Sequence, residues 1–148
     1  MTDFGPEVVA WVEAYGAVGL FAAAVLGATL LPISSEAAFV AALLAGLATP
    51  TALLWATLGN TLGCLVNYVL GRWGRERAAA ALERSRSGRA SLRWLERFGL
   101  PALLLSWLPV VGDPLTLAAG VAHVRLGVFV PLVGGLRFAR YAALAAAV

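Results

Sequence analysis

The chain has 148 residues, enough for one domain, and 61% of them are apolar before glycine is counted; soluble domains reach roughly 45–50% with glycine included. Only 13% are charged, and the net charge is +3. A fold of this size cannot bury so much apolar surface away from water. A soluble enzyme, a disordered chain and a nucleic-acid binder are therefore excluded, and the composition is that of a polytopic membrane protein.

Residues 4–13 read as a short interfacial helix with Phe4, Val8, Trp11 and Val12 on its apolar face. No Lys or Arg lies in residues 1–13, so the basic start of a cleavable signal peptide is missing. Residues 14–35 and 37–71 are uncharged, and a membrane span needs only ~20 apolar residues. Residues 14–31 are apolar and helical up to the break at Leu31-Pro32-Ile33-Ser34-Ser35. Pro32 removes a backbone donor and disfavours helix at the residue before it. Ser34 or Ser35 then caps a helix running to about Leu47. Thr49-Pro50 breaks the chain again, and residues 51–72 form an uninterrupted span. Its polar residues Thr57, Asn60, Cys64 and Asn67 share a stripe, with Asn60 and Asn67 available to bond the broken helices. Gly59 and Gly63 permit close helix approach. Cys64 is the sole cysteine and makes no intrachain disulfide.

Residues 72–97 hold eight arginines against three glutamates. The positive-inside rule makes this loop cytoplasmic. It splits at Ser85-Arg86-Ser87-Gly88 into two short helices, the second placing Leu92, Leu95 and Phe98 opposite its arginines. Such a helix lies on a membrane surface, and its expected partners are anionic lipid headgroups rather than nucleic acid. Residues 98–108 are apolar but too few to cross. Leu108-Pro109-Val110-Val111-Gly112-Asp113-Pro114 is the next break, with Asp113 as the expected N-cap and Pro114 as the first helical residue. That helix runs to about Ala119-Gly120. His123 reads as a solvated or capping residue. Arg125 precedes the last apolar segment, 126–148, which contains Arg137 and Arg140.

The halves repeat. Each opens with an aromatic-Gly pair (Tyr15-Gly16, Phe98-Gly99) and has a carboxylate four residues after its proline (Glu36, Asp113). Each broken helix ends in Ala-Gly (45–46, 119–120), and each half closes with a full apolar span. The expected architecture is an all-α integral membrane protein, a single domain spanning 1–148. Two re-entrant helical hairpins are each followed by one transmembrane helix: repeat 1 over about 14–72, a basic cytoplasmic helical loop over 73–97, and repeat 2 over about 98–148. One crossing per half makes the repeats inverted, an arrangement found in transporters. A rival topology makes 14–31 a full crossing, but its counterpart 98–108 is too short to match.

Intramembrane carboxylates and arginines mark function. Arg137 is the twelfth residue of the final span, ~16 Å along it and near the middle of a ~30 Å core. Arg140 shares its face. Glu36, Asp113, Arg137 and Arg140 are therefore the expected substrate and proton site. Ser34, Ser35, Asn60, Asn67, Ser106, Trp107 and Gly112 are expected to line or support it, with Pro32, Pro109 and Pro114 making the breaks. An ion quartet that merely pins the halves together is the structural alternative, though apolar packing does that more cheaply. No metal constellation, cofactor motif or catalytic set is present in the sequence, so an enzyme is not expected.

Leu-Pro-Ile-Ser-Ser-Glu (31–36) resembles the Pro-x-x-Ser-Glu signature of the DedA family, also called the SNARE-associated or VTT family. Gly59-Asn60-x2-Gly63-x4-Tyr68-x2-Gly71-Arg72 resembles its next block, and Ser106 to Asp113 through Ala119-Gly120 resembles its second re-entrant block. The run Leu-Leu-Ser-Trp-x-Pro-Val-Val-Gly-Asp and the ending Arg137 to Tyr141 are similar to the small YqaA-like branch. The resemblance covers about residues 14–145. It implies two inverted re-entrant hairpins in a bacterial inner membrane and a role in moving lipid or lipid-phosphate headgroups, with proton coupling; relatives are associated with flipping undecaprenyl phosphate and scrambling phospholipids. Glu36 matches the family's essential glutamate. The common pattern has arginines where Ser106 and Gly112 stand and often an acid where Asn60 stands, so Arg137 and Arg140 are candidates to replace the missing arginines. A proton-coupled small-ion transporter and a non-transporting protein of membrane homeostasis or assembly are the alternatives. Gly-rich helices and small size are compatible with a homodimer.

Overall fold

A computed structural model describes residues 6–29, 34–108 and 110–148, with the side chains of 6–9 and 12 left aside. Pro32, Pro109, Phe4 and the side chains of Val8 and Val12 lie outside the described residues. All regular structure among those described is helical: α1 (Pro6–Ala28), α2 (Ser35–Leu44), α3 (Thr49–Trp73), α4 (Arg75–Glu83), α5 (Arg86–Phe98), a 3-10 helix (Leu100–Trp107), α6 (Gly112–Val121) and α7 (Leu126–Ala147). By length and composition, α3 and α7 can each cross a membrane.

The expected boundary between an interfacial helix and the first apolar helix falls inside α1, at Gly16, whose φ of 54° and ψ of −128° interrupt the helix. Gly99 ends α5 with almost the same backbone, φ 63° and ψ −139°. Side chains are rarely tolerated in that conformation, so both aromatic-Gly pairs mark a real corner.

Helices α2 and α6 share more than a pattern. Each has ten residues, and Ser35 to Gly112, Leu44 to Val121 and the following starts Thr49 to Leu126 are all 77 positions apart. Their ends match bond for bond. Leu47 N–H donates to Ala42 O and Gly46 N–H to Leu43 O, as Val124 N–H does to Ala119 O and His123 N–H to Gly120 O, all at 3.0 Å. The residue after each C-cap has positive φ, Gly46 at 90° and His123 at 53°. This is the usual left-handed helix stop. The Ala-Gly pair therefore ends the helix only in the first half. In the second, Ala119-Gly120 lies within α6 and His123 takes the stop position.

Three other boundaries differ from expectation. Thr49-Pro50 opens α3 rather than breaking the chain before it, because proline fits the first turn. Helix α2 stops at Leu44, three residues early. Asp113 is not the N-cap of α6. Val111 holds that place with φ −100° and ψ −20°, and Gly112 N–H already donates to Leu108 O at 2.9 Å. Helical backbone thus begins before Asp113, which sits in the first turn, and Pro114 takes the third position, where no N–H is required.

The chain divides into two compact units, Met1–Gly63 with Arg137–Val148, and Cys64–Leu136. The core of the first unit joins Leu20 of α1, Ala38, Phe39 and Ala42 of α2, Ala52 and Ala56 of α3, and Tyr141 of α7. In the second, α6 is buried throughout Leu115–Val121, with Leu82, Leu95, Leu103 and Phe129 also buried. Helix α3 has an inverted polarity. Leu54, Leu58, Leu62, Val66 and Leu70 form an exposed stripe, while Asn60 and Asn67 are buried. A water-facing helix would show the reverse; this one is built for lipid outside and polar contact inside. The basic loop folds as expected into α4 and α5. Ser85 caps α5 by accepting from Gly88 N–H at 3.0 Å, and Leu95 is buried while Phe98 is exposed.

Candidate functional site

Glu36 is the second residue of α2, and Ser34 caps the helix, accepting from Ala37 N–H at 3.2 Å. The same hydroxyl donates to Glu36 Oε2 at 3.1 Å. The carboxylate is thus held at the positive end of the helix by its own cap. Its other oxygen forms an ion pair with Arg140 of α7, both side chains being partly accessible, Glu36 at 31% and Arg140 at 17%. One guanidinium nitrogen of Arg140 thus meets one carboxylate oxygen while Ser34 holds the other, a charge-assisted pairing stronger than a neutral hydrogen bond.

Beneath this pair the elements are tied by neutral polar groups. Asn60 Nδ2 of α3 donates to Ser35 Oγ at 3.2 Å and to Tyr141 Oη at 3.1 Å. Tyr141 packs against Phe39, with ring centroids 5.0 Å apart and the planes tilted by 42°. One amide therefore fixes the first turn of α2 to the residue that follows Arg140. Arg137, one turn before Tyr141 on α7, is 3% exposed.

The second unit contains the counterpart. Asn67 Nδ2 donates to Thr116 Oγ1 of α6 at 3.2 Å, and that hydroxyl donates to Asp113 O at 2.7 Å. Asparagines seven residues apart on α3 thus each bond a hydroxyl of one of the two ten-residue helices, Ser35 at the start of α2 and Thr116 one turn into α6. Ser106 and Gly112 are buried and Trp107 is half exposed. The Ser106 hydroxyl has no hydrogen-bond partner among the described residues.

Of the four charged residues expected to act together, the structure pairs Glu36 with Arg140. It groups Arg137 with them in the first unit and Asp113 in the second. Ser34 bonds the Glu36 carboxylate, and Asn60 bonds the adjacent Ser35. Tyr141 and Thr116 were not foreseen as parts of a site. The signals were a tyrosine hydroxyl in an otherwise apolar run and a hydroxyl three residues after Asp113.

A VTT domain match spans residues 31–134, more than two thirds of the chain. The chain belongs to the VTT, or DedA, family. Among VTT relatives, it is 43% identical over 136 residues to the inner membrane protein YqaA of Escherichia coli (strain K12), covering 91% of this chain and 92% of that one. The Shigella flexneri protein of the same name matches equally. A Haemophilus influenzae relative of unassigned function is 39% identical over 114 residues, covering 68% of this chain and 67% of its own. No solved structure matches. The resemblance of residues 31–36 and 106–113 to the family's blocks is thus part of a match over most of the chain.

Proposed function

We propose that this VTT protein translocates a lipid or lipid-phosphate headgroup across the bacterial inner membrane, with Glu36 as a proton acceptor and Arg140 as the anion-binding group. The observation that carries the reading is the Glu36–Arg140 ion pair. It joins a helix start to an apolar span and is braced by Ser34 and the Asn60 amide. Ions are placed at membrane depth mainly where substrate or protons pass, and an arginine already paired to a titratable carboxylate can exchange that partner for a phosphate.

In this reading each half crosses the membrane once, through α3 and α7. The breaks before α2 and α6 make re-entrant hairpins, and the halves run in opposite directions. The names of the relatives support the inner membrane. The basic stretch 72–97 supports a cytoplasmic side for α4 and α5, where anionic headgroups meet its arginines. Asp113 is the second-half counterpart of Glu36, and Arg137 adds positive charge on the face of α7 that carries Arg140.

The test is flipping of labelled phospholipid and labelled polyprenyl phosphate in reconstituted vesicles, with wild type, Glu36→Gln and Arg140→Ala checked for folding. Wild-type flipping that is lost in both folded variants supports the reading and identifies the lipid class. A folded wild type that flips neither lipid refutes it, and flux of small ions or a role in assembly then takes its place.

A further inference from the structure

The turn between α6 and α7 carries two nitrogen-bearing side chains that the proposed translocation leaves unused. His123 is locked in the left-handed conformation at the end of α6. Arg125 is the last residue before α7, and its carbonyl accepts from both Val128 and Phe129 N–H at 3.0 Å. Between them, Val124 O accepts a hydrogen bond from Tyr68 Oη, so the turn is fixed at three successive points. His123 and Arg125 are both exposed.

They open onto a cavity of about 380 Å³ whose remaining wall includes Leu95, Gly99, Leu100 and Val128. That volume lies within the range of small-ligand sites, ~300–1,000 Å³. One side therefore offers a guanidinium and an imidazole. The other is aliphatic, and Leu100 and Val128 continue it to the surface, where both are exposed. Position adds to this: Arg125 is the last charge before eleven uncharged residues that begin α7.

We propose that this cavity is a binding site for the phosphate of a membrane phospholipid, with Arg125 and His123 on the phosphate and an acyl chain along Leu100 and Val128. A free phosphate ion has no use for the aliphatic wall, and an uncharged lipid has no use for the guanidinium. The site lies wholly within the second unit and uses neither Glu36 nor Arg140, so it does not depend on the translocation reading. It holds lipid in place rather than passing it.

The experiment is native mass spectrometry of the full-length protein in detergent, titrated with phosphatidic acid, with diacylglycerol of the same acyl chains, and with inorganic phosphate. Phosphatidic acid is expected to bind at least about tenfold more tightly than diacylglycerol, the scale of one charge-assisted hydrogen bond. Arg125→Gln combined with His123→Asn is expected to bring that preference to within about twofold. Asparagine keeps the left-handed turn, and the melting temperature verifies that the variant is folded. Arg93→Gln, on α5, leaves the preference in place. The proposal is overturned if the double variant keeps the full preference. It is overturned equally if Arg93→Gln erodes it as much, which means diffuse attraction to the arginines of α5. Displacement of phosphatidic acid by millimolar inorganic phosphate would also overturn it, by showing that the ion alone is the ligand.

Discussion

Replacing Asn60 with leucine tests whether the amide brace holds α2 in place. The side chains are similar in volume, and the change removes two donors, one to Ser35 at 3.2 Å and one to Tyr141 at 3.1 Å. Side-chain hydrogen bonds within a membrane protein average about 0.6 kcal/mol each and reach about 1.7 kcal/mol. Asn60→Leu should therefore lose about 1.2 kcal/mol, and at most about 3.4 kcal/mol. Tyr141→Phe keeps the ring packed against Phe39 and removes the hydroxyl that accepts from Asn60. The double variant should be less destabilised than the sum of the single ones by about 0.6 kcal/mol, the energy of the shared bond. Reversible unfolding of all four proteins in mixed micelles measures the cycle. Strict additivity would refute the reasoning, since it would mean that Asn60 and Tyr141 do not act on each other and that the amide does not tie α2 to α7.

Two further predictions concern backbone. Gly120→Ala puts a methyl group against Tyr68 O with no flexible atom to yield, whereas at Gly135 the same change meets nothing. Overpacking should cost about 1–3 kcal/mol at the first, while the second should gain up to about 1 kcal/mol from helix propensity; equal melting temperatures for the two variants would contradict the packing described. His123→Gly relieves a left-handed residue that carries a side chain and should raise stability by about 1 kcal/mol, measured by the same unfolding assay, and a loss of stability would show that the imidazole supports the fold.

The sequence made the repeat legible because proline and a carboxylate recur at one spacing, and the backbone keeps that spacing through α2, α6 and the starts of α3 and α7. It misled at Ala119-Gly120 because glycine there answers a different need: it lets the backbones of α6 and α3 approach beside Tyr68. The actual stop falls on His123, a residue with no strong turn signal. Asp113 misled for a related reason. Aspartate before proline is a helix-start pattern, but Gly112 had already entered the helix through its bond to Leu108. At the site, Glu36 and Arg140 were legible as lone charges in apolar runs. Pairing of carboxylates with arginines was expected from their cancelling charges; that Glu36 meets Arg140 in particular was not legible, because periodicity describes one helix at a time. The Tyr141 hydroxyl was hidden by its ring, which packs as any core aromatic does.

The stretch from Gly99 to the second proline is six residues shorter than the one from Gly16 to the first, and the 3-10 helix Leu100–Trp107 changes what that deficit means. Eight residues at ~2.0 Å each advance ~16 Å, close to the ~18 Å that residues 17–28 cover as α-helix at ~1.5 Å each. The shorter half recovers its reach by stretching its coil. The same eight residues wound as α-helix would span ~4 Å less, so the placement of Trp107 depends on the winding and not on residue number alone. Thinner winding thus lets the second half cover nearly the same length as the first with fewer residues.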